Sequence, residues 1–402
     1  MAFSTQCYRE WRILVSDSWL KAMVFWLPVV LFFSMWLIFS AGIARDLPIG
    51  VVDLDHSRLS RGLVRYYDAS PTLAVTNVYT SATEGSHALK NADIYALVVL
   101  PAQLEKDTLL GRAPEVTAFY NSQYILIGKL INSAMVQAQG TYTAGIDTLK
   151  NMADGSPVPL QALGQAVPIQ SQITPLFNSN SHYGQFLVSA AIPAIWQILI
   201  VATTVLAISA EFRQKGISTW LANSPINHVI AKLLPYTMLF WLQGFIFLWA
   251  MYGVLEWPMH GSWFILSLSQ LLMVMACQSM GAAFFLLTLN STRAISLVAG
   301  FTAPAFAFMG VTFPATDMPF LAQLWRAMLP VSHYIEIQIQ QVDYGASLAD
   351  AIPNMIALAC FGFVLLVAMM KAKKIATIYN GSVNPETKNA VSKHSDNKGT
   401  QA

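Results

Sequence analysis

Charge is what this chain of 402 residues has least of: Asp, Glu, Lys and Arg make up 11% of it, against roughly 25% in an average soluble domain. Hydrophobic residues reach 55% and mean hydropathy is +0.49, which together describe an integral membrane protein. The net charge is only +2, so there is no basic footprint for nucleic acid. Cysteine is nearly absent too. Cys7, Cys277 and Cys360 sit at or inside apolar runs, which excludes a disulfide framework and a CxxC metal motif.

Several catalytic signatures are missing. The seven histidines are scattered, with no pair at i,i+4 and no HExxH, so no metal site is expected. There is no Gly-x-Ser-x-Gly nucleophile elbow. GxxxxGK[ST] is absent as well, so the chain has no P-loop with which to cradle nucleotide phosphates. No catalytic residues are expected, and transport powered by ATP would need another subunit to supply the ATPase.

What is there is a series of six apolar runs, at 22–44, 185–209, 233–255, 263–289, 294–313 and 351–370, each near the roughly 20 residues a helical span requires. None contains Asp, Glu, Lys, Arg or His. Ionisable residues inside the membrane mark proton relays and ion-coupled carriers, so a carrier driven by a proton gradient is disfavoured. The first run has 23 residues, longer than the roughly 7–15 of a signal-peptide core, and reads as an uncleaved anchor. Residues 1–21 before it are mildly basic, with Tyr8, Trp11 and Trp19 suited to a helix at the membrane surface.

Between the first and second runs, residues 45–184 are of different material, with nine Lys/Arg and eleven Asp/Glu. Short β-type runs at 49–55, 72–79, 94–101 and 115–121 alternate with helix-compatible stretches at 57–67, 82–91 and 103–109, which predicts a small α/β unit. A longer helix over 124–150, a Pro- and Gly-rich loop over 155–168 and a final strand over 169–177 complete it. Asp53 and Asp55 before His56-Ser57 read as strand-ending and helix-capping residues rather than an acid pair for a metal.

The expected fold is an α-helical membrane protein of six spans, one plus five, with this α/β domain inserted after the first. Orientation follows from Lys/Arg near span ends. Thirteen fall on the side of the N-terminus, the 211–232 loop, Arg293 and the tail from Lys371; one, Arg326, falls on the other. That puts both termini and the loop in the cytoplasm, residues 45–184 and the elbow 314–350 outside, and 371–402 in a disordered cytoplasmic tail.

The loop, EFRQKGISTWLANSPINHVIAK at 211–232, is structured by its own sequence. Gly216 suits a helix end, Ile217, Trp220 and Leu221 fall on one face, and Ser224-Pro225 reads as N-cap and first residue of the next helix. Two roles fit. One is an interfacial elbow whose Trp220 anchors among lipid headgroups; the other is a docking helix seated in a groove of a cytoplasmic partner.

Glu211, Arg213, Gly216, Leu221, Ser224-Pro225-Ile226 and Lys232, in that order, resemble the corresponding segment of permease subunits of ABC exporters of the second type, the drug and antibiotic export class with a large periplasmic domain. Ile217 replaces a frequent Thr of that pattern. Further points of resemblance are 48–57 and 59–61 at the opening of the external domain, 176–178 at its exit, and Phe313-Pro314, Met318-Pro319, Pro330 and His333-Tyr334 in the elbow before the last span.

The resemblance implies coupling to the ATPase through Glu211, Phe212, Arg213, Lys215, Gly216 and Trp220. It makes Phe313, Pro314, Met318, Pro319, Pro330 and Tyr334 an external gate elbow, with a short helix over 320–329 capping the pathway. It also implies two ABC ATPase subunits bringing ATP and Mg, a second identical or related permease subunit, a periplasmic adaptor and a bacterial inner-membrane location. The substrate is not specified; aromatic, Met and Gln side chains of the spans (Gln197, Gln243, Gln270 and Gln278) suit an amphipathic or apolar molecule, and core packing accounts for most of them as well. The alternative from another class is a non-transporting receptor or scaffold, which would need no ATPase at the loop.

Overall fold

The computed structural model describes the backbone of residues 3–40, 42–153, 158–166, 176–178, 182–220 and 225–396, with side chains described over these except at 3–7, 165, 183, 214–220, 225–226 and 375–396. Two compact units divide the chain: Met1–Ser40 with Leu176–Ala402, and Ala41–Pro175.

The first unit begins with α1 (Phe3–Ser16) and α2 (Ser18–Lys21). Asp17 breaks the chain between them and caps α2, its Oδ1 accepting from the backbone N–H groups of Trp19 and Leu20 at 2.9 and 3.1 Å. A π-helical stretch, Ala22–Trp26, leads into α3 (Leu27–Ile38), whose Val29, Val30, Phe33 and Leu37 are exposed, as lipid-facing residues should be.

The second unit contains β1 (Leu47–Asp53), α4 (Arg58–Asp68), β2 (Leu73–Tyr79), α5 (Ala82–Lys90), β3 (Ala96–Leu100), α6 (Leu104–Leu109), β4 (Thr117–Tyr120), α7 (Ile125–Ala153) and α8 (Pro159–Ala166). The four strands expected between 49 and 121 are present, in the order β2-β1-β3-β4, with β1 parallel to both neighbours and β4 antiparallel to β3, whereas Leu176 and Phe177, the described end of the strand expected at 169–177, are not in a strand. The central strands β1 and β3 are almost continuously apolar because helices cover both their faces. The capping role of the acids after β1 holds. Asp53 Oδ1 accepts from Asp55 N and His56 N, its Oδ2 accepts from Ser60 Oγ at 2.8 Å, and Ser57 caps α4. Asp55 Oδ2 accepts from Glu105 N at 3.0 Å at the start of α6. Burial works against ionisation of Asp55, but its hydrogen bonds with Ser57 and the α6 backbone win and hold its carboxyl below the usual range.

Two expectations here change. The Pro- and Gly-rich stretch is not all loop: Pro159 supplies a preset first-turn φ and LQALGQA carries α8. Of the expected strand at 169–177, residues 169–175 lie outside the described residues.

The chain then returns to the first unit with α9 (Tyr183–Trp220), α10 (Pro225–Leu248), a π-helical stretch Trp249–Val254, α11 (Trp263–Thr288), α12 (Ser291–Thr302), α13 (Ala305–Phe308), α14 (Phe320–Met328), α15 (Pro330–Val342) and α16 (Leu348–Asp396). Among the described residues five helices are long and apolar enough to cross a membrane: Ser18–Ile38, Gly184–Arg213, Asn227–Val254, Trp263–Thr288 and Leu348–Lys374. The run at 294–313, expected as a sixth, is broken. Ala303 keeps helical dihedrals, but Pro304 has no N–H to continue the hydrogen-bond ladder, so α12 stops at Thr302 and only the one-turn α13 follows. The tail is also not irregular from Lys371, since α16 continues to Asp396; extending an existing helix avoids the cost of nucleation.

Helices α9 and α11 form the core of this unit and are mostly buried, whereas the first and last spans are mostly exposed. Helices α9 and α11 approach closely at Gly281, where an added Cβ would lie 2.7 Å from the Val201 carbonyl oxygen. That contact is with backbone and cannot swing aside. Gly281→Ala is therefore expected to destabilise the unit by about 1–3 kcal/mol. Gly300→Ala, whose Cβ would meet nothing within 4 Å, should be neutral. Thermal unfolding of the detergent-purified variants measures both, and equal melting of all three proteins would remove the tight α9–α11 contact.

Candidate functional site

Helices α9 and α10 are the two arms of the turn that contains 211–232, and their facing ends bury charge. Lys232 on α10 is 3% exposed, with its Nζ 2.6 Å from Glu10 Oε2 and 3.3 Å from Glu211 Oε2. Arg9 completes a closed set, donating from Nη2 to Glu211 Oε2 at 2.6 Å and to Glu10 Oε1 at 2.8 Å. Two cations and two anions thus neutralise each other, and only Arg9 keeps substantial access to water. Partial burial pulls the Arg9 guanidinium down, but its bonds to Glu211 and Glu10 outweigh that and raise its pKa above the ordinary arginine value.

The local sequence explains the convergence. On α1, Glu10 and Leu14 are one turn apart and both buried, with Ile13 beside them. This places Glu10 on the apolar face that α1 turns to α10. On α9, Glu211 follows the apolar run without a break, so the helix carries it to the same level. Phe212 packs its ring edge-on against Phe285 of α11, 5.6 Å between centroids, and holds the end of α9 to the core. Two residues before Glu211, Ser209 of α9 shares a hydrogen bond with Ser291 in the first turn of α12.

The predicted coupling residues therefore separate. Glu211 is turned inward and Phe212 is packed, whereas Arg213 is exposed. Lys215, Gly216 and Trp220 all lie within α9, which runs through Gly216 to Trp220; the expected helix end at Gly216 is corrected. Leu221 and Ser224, including the proposed N-cap, lie outside the described residues, while α10 does start at Pro225. Sequence reasoning missed Glu10 and Arg9. The available signal was an acid on the apolar stripe of α1, masked by counting that segment only for its positive charges.

The elbow residues spread over a different part of the unit. Phe313 and Pro314 are exposed, Met318 is buried, and Pro319 precedes the short helix α14. Pro330 is the first residue of α15, and Tyr334 is fully buried in the core. Trp325 packs on Phe301 and Phe308, with ring centroids 5.8 and 6.5 Å away. The four span glutamines are structural. Gln197 accepts from Val331 N at 2.9 Å and so caps α15; Gln270 donates to the Gly244 carbonyl; Gln278 accepts from Thr237; and Gln243 takes the Trp196 indole N–H while donating to the Val24 carbonyl in the first π-helical stretch.

A bundle of apolar helices with α9 and α11 buried in it and a polar turn at one end describes a membrane-embedded helical unit. The chain belongs to the ABC-2 family transporter proteins, whose family model matches residues 18–371. It is a transporter permease of the ABC class. Among curated proteins it is similar to the "Probable multidrug ABC transporter permease YbhS" of Escherichia coli strain K12 and of Escherichia coli O157:H7. Both are 25% identical over 339 residues, which cover 82% of this chain and 85% of theirs.

Lys232→Met would leave Glu10 and Glu211 buried with one cation fewer in the cluster. Breaking such a set by removing one partner costs about 3–5 kcal/mol. Chemical unfolding in detergent should register that loss, and Glu10→Gln in the Lys232→Met background should recover part of it. A strictly additive double mutant would contradict the closed cluster.

Proposed function

We propose that the chain is the permease subunit of an ATP-driven exporter, and that a separate ABC ATPase docks at the α9–α10 turn and supplies ATP and Mg. The supporting observation is the Arg9–Glu10–Glu211–Lys232 cluster, which binds α1, α9 and α10 into one body just where the turn begins. A force on the turn is then delivered to three helices together. Glu211 serves as an internal tie and Arg213 as the outward contact, followed along α9 by Lys215 and Trp220.

In this reading both termini and the turn face the cytoplasm of a bacterium, in its inner membrane, and the 45–184 domain lies outside. Residues 294–313 make the sixth crossing as the broken pair α12–α13, which is tolerated at membrane depth only when packed within protein. The name of the E. coli relatives favours a multidrug substrate range. A second permease subunit, identical or related, completes the pathway, and the external domain hands substrate to a periplasmic adaptor. The elbow at Phe313, Pro314, Met318, Pro319, Pro330 and Tyr334 gates the outer mouth.

The test is co-purification with a candidate ABC ATPase, sought first among the neighbouring genes. Arg213→Glu should weaken the complex. Gly216→Pro, which puts proline inside α9 at a local cost of about 3 kcal/mol, should abolish stimulation of ATP hydrolysis while the membrane unit stays folded. Full stimulation by both variants would overturn coupling at this turn.

A further inference from the structure

A cavity of about 290 Å³ lies among α9, α15 and the second π-helical stretch, away from the ionic cluster. Its walls include aromatic side chains, among them Phe186 and Tyr344, and polar ones, among them Gln185, Gln338 and Asp343. Gln338 is 3% exposed. Its amide nitrogen donates to the Ser189 carbonyl at 2.9 Å and reaches the Tyr252 hydroxyl at 3.3 Å, while its Oε1 has no partner among the described residues. The Nε2 of Gln185 is likewise without a partner there.

Asp343 makes no ion pair among the described residues, and burial raises its carboxyl above the usual range while His260 pulls the other way. Arg326, next to Gly310 on the wall, is paired through Nη2 with Glu336 at 2.7 Å, while its Nε has no partner among the described residues.

Among the described residues the Gln338 oxygen thus lacks a donor and the Gln185 amide an acceptor, Asp343 has no ion pair, and no lysine or arginine lines the space. An unsatisfied buried polar atom is costly, and a ligand that satisfies it recovers that cost. We propose that this cavity binds an aromatic-bodied organic cation with N–H donors and a neighbouring oxygen acceptor. The ammonium faces Asp343 and Gln338 Oε1, the oxygen takes the Gln185 amide, and the ring lies against Phe186 and Tyr344. As the class of substrate moved, this rests on the permease reading above.

The probe is propranolol, a naphthyl ammonium with hydroxyl and ether oxygens. It is titrated by its own fluorescence into the full chain in zwitterionic-lipid nanodiscs, with empty nanodiscs subtracted. Saturable binding is expected, and naproxen, a naphthyl carboxylate of similar size, should not displace it. Asp343→Asn should weaken binding roughly tenfold or more, the loss of one charge-assisted hydrogen bond. Tyr344→Lys places a cation on an exposed position at the same wall, at the cost of an edge-on contact with Phe177, and should also weaken it.

Absence of saturable binding, displacement by naproxen, or unchanged affinity in either folded variant overturns the site. A separate measurement, stimulation of the partner ATPase by propranolol, distinguishes the two readings. Binding to the chain alone with no such effect leaves the site standing and overturns the substrate role. A productive ATPase complex without binding overturns the site and leaves the permease reading intact.

Discussion

Lys232 cannot be buried alone. An ammonium removed from water costs several kcal/mol, and attraction to a single carboxylate repays this only when the remaining donors and acceptors are also met. Here the repayment takes Glu10, Glu211 and Arg9 together, from positions as much as 222 residues apart in sequence. The cluster is complete only when the N-terminal helix lies against both arms of the α9–α10 hairpin. That condition fixes where α1 sits, holds the ends of two spans at one level, and turns the charges of Glu10, Glu211 and Lys232 away from the surface.

The same constraint acts on neutral groups deeper in the bundle. Without water, each backbone group released by a helix irregularity needs a partner from the protein. Pro193 inside α9 leaves the Ser189 carbonyl without its N–H, and Gln338 of α15 supplies one. The N-terminal amides of α15 are short of acceptors, and Gln197 of α9 provides one. Gln243 meets a carbonyl in the π-helical stretch Ala22–Trp26. Polar side chains that look like substrate ligands in a string of letters are here the means by which irregular helices are kept in an apolar medium.

Much of the fold was legible because its signals are strong and local. Four of the spans and the β1–α4–β2–α5–β3–α6 alternation follow from long apolar runs and from period-two patterns broken by capping residues such as Ser57 and Ser81. The first span was legible as well, although its helix starts earlier and ends at Ile38. What composition could not resolve was continuity. The run at 294–313 is as apolar as its neighbours, yet one proline divides it, while Gly216 did not divide α9. At the candidate site, Glu211 and Lys232 were visible as charges flanking a turn, but their being buried was not. Burial depends on Glu10, and its contribution exists only after α1 has docked.

Helix α9 connects these features. Gln185 at one end and Glu211 near the other are 26 residues apart, roughly 39 Å along a helix at 1.5 Å per residue. Between them the described helix has one built-in weakness, Pro193, where an intrahelical bond is replaced by the Gln338–Ser189 bond to α15. A helix this long with a single interrupted hydrogen bond bends there more easily than elsewhere. Any change in the angle at Pro193 must lengthen or remake the Gln338 bond, and Gln338 also forms part of the cavity wall. Beyond the proline, α9 runs unbroken and mostly buried to the ionic cluster, so its far segment moves with α1 and α10 or loses the partners of Glu211. The physical route between the cavity and the turn is therefore one helix, one replaceable hydrogen bond and one cluster that resists being opened.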